Sequence, residues 1–288
     1  TIDGVTVVDS GYGSPDLGGR ADGMWILAYC QGCIANRNKI INCVIENGAD
    51  DGIEVWSEAG GVANDNLIIG NTVRNVAEVG IEIDVHGPGG SVNQNTVANN
   101  LVEDTREQAG IVINAWRGGS ANGNIVSSNV IIENAEYGIG ILTGGPGTTA
   151  SANSIVNNLV EHHRGEGIWL SFADEAVSDG NFIIGNTIKN HDQAGEGTGI
   201  GVYSNDNLIY HNNFINNFFS ATDNGHNNCW DHDGEGNYWS DYTGRDENGD
   251  GIGDTPYPIA PNGVDNYPLM TPYTYNRIYL PVLLRNYP

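Results

Sequence analysis

An asparagine recurs along most of this chain at nearly constant spacing, and this repeat limits the possible folds more than any other feature. Successive copies are 29, 29, 29, 29, 28 and 26 residues apart. They stand at Asn42, Asn71, Asn100, Asn129, Asn158, Asn186 and Asn212. A Gly-Ile pair recurs with a similar period, from Gly52 to Gly199. Such a period is typical of a solenoid, in which each repeat is one coil and only stacked coils bury an apolar core.

Within each repeat the apolar residues alternate with polar ones, as at Ile81 and Ile83 or at Ile111 and Ile113. This period of two predicts short strands with one buried face, and no repeat shows the period of an amphipathic helix. Short strands stacked at a coil spacing of about 4.8 Å form a parallel β-helix. The sequence therefore predicts an all-β protein, a parallel β-helix of about seven to eight coils.

The repeated asparagine fits the interior of such a β-helix. A primary amide both donates and accepts hydrogen bonds, so each side chain can bond to the asparagines one coil above and one coil below. Asparagine is also common in turns, but a turn preference does not explain seven copies in register. We therefore expect the seven asparagines to form a continuous internal ladder.

The charge balance excludes several partners. The chain carries 36 acidic and 11 basic residues, a formal net charge of -25. Nucleic acids and anionic membrane surfaces require a basic face, and an anionic polysaccharide would need bridging cations. No apolar run is long enough to cross a bilayer. The sequence begins at Thr1 without an initiator methionine, so we expect a mature extracellular or cell-surface chain whose signal peptide has been removed.

We divide the chain into three parts by composition. Residues 1–217 form the β-helix, residues 218–270 form a C-terminal cap that interrupts the repeat, and residues 271–288 form an apolar, basic tail strand. The tail contains two arginines and no acidic residue. Because Pro281 cannot occupy a central strand, we expect the tail to pack at an edge, either within its own chain or on a neighbouring chain.

The loops that follow the Gly-Ile strands stack along one side of the solenoid, where repeat proteins commonly bind ligands. The outward positions there combine carboxylates with aromatic side chains. Sugar rings could stack on the aromatic candidates Trp56, Trp116, Trp169 and Tyr203. The same surface could also be an ordinary solvated face with a few anchoring aromatics.

A catalytic role for this side is the less favoured interpretation. Glu82, Asp84 and His86 could serve as acid and base, and Arg117 in the next coil could neutralise a substrate carboxylate. This set would suit a polysaccharide lyase or a uronate epimerase. However, a histidine in a surface loop and paired carboxylates on an acidic surface are both common without chemistry, so a non-enzymatic role is favoured.

An acidic loop in the cap has the spacing of a calcium site. Oxygen ligands at positions 1, 3, 5, 7 and 9 come from Asp246, Asn248, Asp250, the Ile252 carbonyl and Asp254. The glutamate that an EF-hand carries at position 12 is replaced by Tyr257, so the loop resembles the shorter loops of dockerin and thrombospondin type 3 repeats. Asp265 or Asp241 could complete the shell. The alternative is an acidic turn without metal.

The four cysteines lie at opposite ends of the repeat. Cys30, Cys33 and Cys43 fall in the first coil and Cys229 follows the seventh, a distance of about 29 Å at the coil spacing. A disulfide needs Cα atoms within about 7 Å, so Cys229 cannot reach the others in its own chain.

The spacing of Cys30 and Cys33 favours a structural disulfide over a redox or zinc pair. The remaining cysteines suggest a head-to-tail filament that links Cys229 to the spare cysteine of the next copy. The alternative is a capped monomer with Cys229 reduced and buried.

The asparagine repeats together with the motifs of residues 236–244, 246–254, 255–259 and 264–270 resemble the NosD-like right-handed parallel β-helix proteins, over about residues 20 to 270. The resemblance implies a secreted or surface solenoid, often a module of larger envelope proteins. NosD is linked to copper-site maturation, but this sequence shows no Met/His/Cys cluster typical of copper sites. We therefore expect a calcium-stabilised structural solenoid that associates with itself or with the cell envelope. The alternative is a carbohydrate-active protein.

Overall fold

The computed structural model describes residues 1–10, 22–173, 175–191 and 197–274. These residues form short strands joined by turns, and none of them forms a helix that could span a membrane. The strands are, in chain order, β1 Ile2–Asp3, β2 Thr6–Val8, β3 Met24–Ala28, β4 Lys39–Ile41, β5 Val44–Glu46, β6 Ile53–Glu58, β7 Leu67–Ile69, β8 Thr72–Arg74, β9 Ile81–His86, β10 Thr96–Ala98, β11 Leu101–Glu103, β12 Ile111–Trp116, β13 Ile125–Ser127, β14 Val130–Ile132, β15 Ile139–Gly144, β16 Ser154–Val156, β17 Leu159–Glu161, β18 Glu166–Ala173, β19 Phe182–Ile184, β20 Thr187–Lys189, β21 Thr198–Val202, β22 Leu208–Tyr210, β23 Asn213–Ile215, β24 Phe219–Asp223, β25 Tyr238–Trp239, β26 Tyr257–Ile259 and β27 Gly263–Asp265.

The strands stack into three parallel sheets that confirm the predicted parallel β-helix. Sheet A contains β1, β4, β7, β10, β13, β16, β19 and β22; sheet B contains β2, β5, β8, β11, β14, β17, β20, β23 and β25; sheet C contains β3, β6, β9, β12, β15, β18, β21 and β24. Each coil contributes one strand to each sheet, so neighbours in a sheet are one repeat apart in sequence. Strands β26 and β27 pair separately as an antiparallel hairpin.

The core consists of columns of aliphatic side chains that point inward from the three sheets. One column in sheet C contains Ile53, Ile81, Ile111, Ile139, Ile168 and Ile200, all with no exposed surface. The alternation of the sequence therefore produces strands with one face in the core, as predicted. Burying an isoleucine or valine in every coil stabilises the stack by about 1.5–3 kcal/mol per side chain.

The recurrent glycine of the Gly-Ile pair is required by the close approach of successive coils. A Cβ atom on Gly138 would lie 2.3 Å from Val160 Cγ1 and 2.7 Å from the carbonyl oxygen of Gly167 in the next coil. The same clash with the following coil occurs at Gly52, Gly80, Gly110 and Gly167. These glycines permit the tight turn from sheet B into sheet C.

The predicted asparagine ladder is present between sheets A and B, with one residue misassigned. Side-chain amides bond in sequence from Asn71 through Asn100, Asn129, Asn158 and Asn186 to Asn212. Asn42 is not part of it: Asn42 is exposed and donates to Asp3, while Cys43 occupies the ladder register and donates its N–H to Asn71 Oδ1 at 2.9 Å.

The ladder also extends beyond its predicted end. Asn212 Nδ2 donates to Asn237 Oδ1 at 3.0 Å, and the Asn237 N–H donates to Asp265 Oδ2 at 2.8 Å. Because a carboxylate only accepts, Asp265 ends the chain of donors.

Two further ladders escaped the sequence analysis. The first, at the entrance to sheet A, runs through Asn38, Asn66, Asn95, Asn124, Asn153, Asn181, Asn207 and Asn228. The second, between sheets B and C, uses imidazoles. Asn134 N–H donates to His163 Nδ1 at 3.0 Å, His163 N–H donates to His191 Nδ1 at 3.2 Å, and the two rings stack with centroids 5.2 Å apart.

The solenoid continues past the predicted boundary at residue 217. Strand β24 extends sheet C and β25 extends sheet B, so an eighth coil is partly formed before the hairpin. The chain then covers this end: Leu269 N–H donates to the Asn237 carbonyl and Asp223 N–H to the Ala260 carbonyl. Of the predicted tail strand at residues 271–288, residues 275–288 lie outside the described residues.

The cysteines pair within the first coil. Cys30 and Cys33 form a disulfide, as predicted. Cys43 is buried in the core at 1% exposure and Cys229 is exposed, contrary to the alternative in which Cys229 is buried. A disulfide between Cys229 and the spare cysteine of another copy is therefore not available, since Cys43 is enclosed by its own coil. Self-association without that link stays a prediction.

Candidate functional site

The outer face of sheet C collects carboxylates at its N-terminal half. Strand register places Glu54 beside Glu82 and Trp56 beside Asp84 on adjacent coils, and His86 beside Trp116 on the next coil. Alternation within β9 directs Glu82, Asp84 and His86 to the same side. The structure therefore brings together the three acid–base candidates, and adds Glu54 from the preceding coil. We call this surface the acidic face.

The carboxylates of the acidic face form a continuous group. Ligand oxygens lie within 4.8 Å of one another in three sets: Asp22, Asp51 and Glu54; Asp50, Asp51 and Glu78; and Glu54, Glu82 and Asp84. Sequence reasoning did not select Asp22 and Asp51. Each directly precedes a glycine that opens a coil, and the two are 29 residues apart. Their equivalent positions in the repeat could therefore have identified them from the sequence.

Crowding and burial change the protonation of this group. Burial, with added repulsion from Asp22, raises the pKa of Glu54 to about 10. Burial also raises the pKa of Asp51 to about 7, with part of the effect offset by a hydrogen bond from the Val79 N–H. Although part of the Glu82 residue is exposed, desolvation of its carboxyl group and the Asp84 charge raise its pKa well above the usual range. At neutral pH the acidic face therefore contains carboxylic acids as well as carboxylates.

Asp84 and His86 form a pair at the edge of this group. Asp84 Oδ2 lies 3.2 Å from His86 Nε2, and this hydrogen bond is the main cause of a raised pKa for His86. Arg117 follows the strand position that pairs with His86, and its charge opposes that increase. Asn114 donates to Glu82 Oε1 at 3.4 Å. The arrangement offers an imidazole that can exchange a proton, next to carboxyl groups that remain protonated near neutral pH.

The four predicted sugar-stacking aromatics do not form one exposed row. Trp56 is only 3% exposed, because Trp25 and Tyr29 of the preceding coil pack edge-on against it with ring centroids at 6.3 and 5.9 Å. Trp56 therefore cannot stack on a sugar ring, which corrects the prediction.

The other three candidates differ in exposure. Trp116 lies over Gly144, where a Cβ atom would fall 1.8 Å from the indole ring. Trp169 packs edge-on against Tyr137 at 5.3 Å. Tyr203 is the most accessible of the four at 41% exposure. A cavity of about 220 Å³ at the N-terminal end is lined in part by Trp25 and Leu27, which pair with Glu54 and Trp56 in strand register and so adjoin the acidic face.

The predicted calcium loop is an exposed turn organised around Asp246. Asp246 Oδ1 accepts the Gly249 N–H at 2.6 Å and the Asp250 N–H at 3.2 Å, and its Oδ2 accepts the Gly251 N–H at 2.9 Å. Gly249 and Gly251 have φ angles of 77° and 89°, which side chains other than glycine rarely adopt.

The rest of the loop has the same organisation. Asp250 Oδ1 accepts the Ile252 N–H at 2.9 Å, and Asp254 Oδ2 accepts the Glu247 N–H at 2.6 Å. Asn248 Nδ2 donates to Asp250 Oδ2 at 2.9 Å. The loop thus curls so that alternate oxygen-bearing side chains face its own backbone. Among the described residues, the carboxylate oxygens of its three candidate ligands, Asp246, Asp250 and Asp254, do not all lie within 4.8 Å of one another as those of the acidic face do.

The two residues expected to complete the calcium shell are used elsewhere. Asp265 is fully buried and accepts hydrogen bonds from the N–H groups of Asn237 and Tyr267 and from Trp239 Nε1. Asp241 accepts from Ser220 and from the Tyr257 hydroxyl. The structure therefore leaves the ligand set to residues of the loop itself, since Asp265 acts as the end of the ladder.

Comparisons with known proteins agree with the fold. A family profile described as periplasmic copper-binding protein (NosD) matches residues 89–244, and a profile of the right-handed β-helix region matches residues 3–155. A search of curated protein sequences found no match.

Two solved structures are similar to this chain at low sequence identity. The crystal structure of the periplasmic alginate epimerase AlgG has a TM-score of 0.53 at 18% identity, covering 74% of this chain and 44% of that one. A mutant DFA-IIIase from Arthrobacter chlorophenolicus A6, in complex with DFA-III, has a TM-score of 0.34 at 14% identity with the same coverage. The chain thus spans less than half the length of either protein, and the likeness to the epimerase concerns the fold alone.

The donor atoms present do not fit the copper of the family description. Copper(I) is bound by thiolate, thioether and imidazole ligands. In the part of the chain that the structure describes, every group of three or more clustered ligand side chains consists of carboxylates. Carboxylate oxygens suit calcium, magnesium or manganese instead.

Proposed function

This chain belongs to the NosD family of right-handed parallel β-helix proteins, and on that premise we propose that it is an extracellular structural solenoid whose C-terminal cap binds calcium. The family description and the similar epimerase both carry the word periplasmic, which supports a location outside the cytoplasm. The net charge of -25 supports a protein that works where divalent cations are abundant.

The observation that carries the calcium assignment is the conformation of residues 246–254. The Asp246 carboxylate accepts hydrogen bonds from three backbone N–H groups and so fixes the turn, as the first ligand of a calcium loop does. Asn248, Asp250 and Asp254 follow at the alternating positions that supply further oxygens. A turn that these hydrogen bonds already fix loses less conformational entropy on binding a cation than an unstructured loop would.

Calcium bound here would stabilise the whole solenoid because the loop is fastened to the cap. The Gly253 N–H donates to the Pro268 carbonyl, and the Met270 N–H donates to the Gly251 carbonyl. Leu269, between these two anchors, pairs with the eighth coil through the Asn237 carbonyl. The cation would therefore fix the segment that covers the end of the asparagine ladder.

Calcium titration calorimetry tests this assignment on the full chain. We expect binding with a Kd of about 10⁻⁴ to 10⁻³ M, the range of extracellular calcium-binding modules. Asp250→Ala should abolish the heat of this event. Glu247→Ala removes the same charge from the same loop, but Glu247 is not at a ligand position, so this variant should bind almost as the parent does. Equal weakening by both variants would mean that the loop only attracts cations through its charge.

A second candidate function rests on the Asp84–His86 pair of the acidic face. An imidazole held by a carboxylate could abstract a proton, and the protonated Glu54 and Glu82 could donate hydrogen bonds to a substrate carboxylate. These groups would suit a lyase or an epimerase that acts on an acidic polysaccharide. One observation counts against it: Trp56 is buried and cannot stack on a sugar ring.

Incubation with uronate polysaccharides separates the two candidates. A lyase would release unsaturated oligosaccharides that absorb ultraviolet light, and an epimerase would change the uronate signals in the proton NMR spectrum. If activity is found, His86→Asn should remove it, while His226→Asn at an exposed histidine of the C-terminal end should not. No change in any polysaccharide leaves the structural role as the better account.

A further inference from the structure

The outer face of sheet B has an apolar stripe that runs along the solenoid axis. Strand register aligns Leu101 with Val130 and Val130 with Leu159 on three successive coils. All three side chains point away from the core and are half-buried. The stripe continues towards the C-terminal end through Thr187 and Asn213 in the same register.

The chain approaches this stripe from the C-terminal end. Leu269 pairs with Tyr238, one coil beyond Asn213 in the same column. Four residues later, the Tyr273 N–H donates to Asn213 Oδ1 at 2.7 Å and its carbonyl accepts from Asn213 Nδ2 at 3.0 Å. The Tyr273 ring stacks on His211 with centroids 3.9 Å apart.

These contacts show that the chain after Leu269 runs back along the outer face of sheet B towards the N-terminal coils. Between residues 269 and 273 the chain turns back over the eighth coil and lies on the outside of the seventh, so that Asn213 is only 5% exposed although it belongs to the outer face. The next positions along this path are Thr187 and then the stripe.

We propose that residues 275–288 continue along this path and pack on the stripe formed by Leu159, Val130 and Leu101. Their length is sufficient. An extended segment of 14 residues can span about 46 Å, whereas the four coils from Asn213 to Leu101 occupy only about 19 Å. The occupant of this face is thus the chain's own C-terminal segment.

The chemistry of the segment matches that face. Ile278, Leu280 and Val282 supply apolar side chains for the stripe. Pro281 removes a backbone donor, and packing on the face of a sheet does not require that donor. The segment carries two arginines and no acidic residue. Glu103 and Glu161 flank the stripe in the neighbouring outward column, but Arg74 and Lys189 already pair with these carboxylates, so the match rests on apolar contact.

Site-specific photocrosslinking in the full chain tests the proposal directly. A benzophenone amino acid in place of Leu280 should crosslink to peptides that contain β11, β14 or β17 of the same chain. Mixing isotopically labelled and unlabelled protein distinguishes crosslinks within a chain from crosslinks between chains. Crosslinks to sheet A or sheet C, crosslinks between copies, or a yield no greater than that of the free probe would each overturn the proposal.

A double-mutant cycle provides a second, independent measurement. Leu280→Gln and Val130→Gln should each lower the Tm, and the double variant should lose less than the sum of the two by about 2–4 °C, because the first change already removes the shared contact. Ile125→Gln serves as the matched control, since Ile125 is 41% exposed on the outer face of sheet A. It should combine additively with Leu280→Gln. Equal coupling at Ile125, or none at Val130, contradicts docking on sheet B.

Discussion

Replacing Asn129 by alanine removes one rung from the centre of the asparagine ladder. Asn129 is 1% exposed, and its side chain takes part in four hydrogen bonds. Its Nδ2 donates to the Val97 carbonyl and to Asn158 Oδ1, both at 3.0 Å. Its Oδ1 accepts from the N–H and Nδ2 of Asn100 at 2.9 and 3.0 Å.

The size of the effect follows from which partners remain satisfied. After the substitution, the backbone N–H of residue 129 can still donate to Asn158 Oδ1, and Asn100 Nδ2 can still donate to the Ile68 carbonyl. The Asn100 N–H loses its acceptor, and the Val97 carbonyl loses one donor. At about 1–3 kcal/mol for each of these two buried groups, we expect a loss of about 2–6 kcal/mol in the free energy of unfolding.

Urea unfolding at equilibrium, followed by circular dichroism, measures this loss. Asn224→Ala is the matched control, because Asn224 is exposed and, unlike Asn42 with its φ of 53°, does not lie in the left-handed region where alanine is strained. That variant should change the free energy of unfolding by less than about 1 kcal/mol. A loss at position 129 no larger than the loss at position 224 would refute the argument that buried amide contacts hold the coils together.

Three other perturbations test separate parts of the fold. Burial lowers the pKa of His191 to about 4 and that of His163 well below its usual value. As the pH falls, these histidines therefore become protonated in the unfolded chain before they do so in the folded chain. Stability should fall as the pH drops below about 6.5, by up to about 1.4 kcal/mol per histidine per pH unit, and a variant with asparagine at both positions should flatten this slope in urea titrations at different pH. Asp265→Ala should cost about 3 kcal/mol or more, because it leaves three N–H donors without their acceptor; differential scanning calorimetry should show a cap that melts before the coils. Gly138→Ala should destabilise the chain by more than about 2 kcal/mol through the clash with Val160, and a neutral result by thermal unfolding would show that the coils can separate to admit a methyl group.

The architecture could be predicted because each coil repeats the same constraint. Alternating apolar residues at a period near 29 leave few folds other than a β-helix, and one family of asparagines follows directly. The misassignment of Asn42 has a simple cause: steps of 28 and 29 residues both occur, so residue type alone cannot fix the register. The pairing of Val44 with Thr72 decides it and places Cys43 in the ladder.

The candidate site was less predictable because it depends on packing between coils. Register could bring Glu54 and Glu82 together from the sequence, but the burial of Trp56 depends on how Trp25 and Tyr29 orient their rings. Similarly, Asp265 resembles a calcium ligand by residue type and position, yet its carboxylate is enclosed by Trp239 and the ladder end. Side-chain direction outside the repeat is not encoded in spacing.

Thermal unfolding of the full chain in calcium and in EDTA tests the central claim most directly. A cation that binds the folded loop and not the unfolded chain adds about 2.7 kcal/mol at a calcium concentration 100-fold above Kd, so we predict a Tm several degrees higher in calcium. Asp250→Ala should remove this difference, and Glu247→Ala should keep it. A Tm that is the same in calcium and in EDTA, or a calcium effect that survives Asp250→Ala, would contradict the assignment of a stabilising calcium site to residues 246–254.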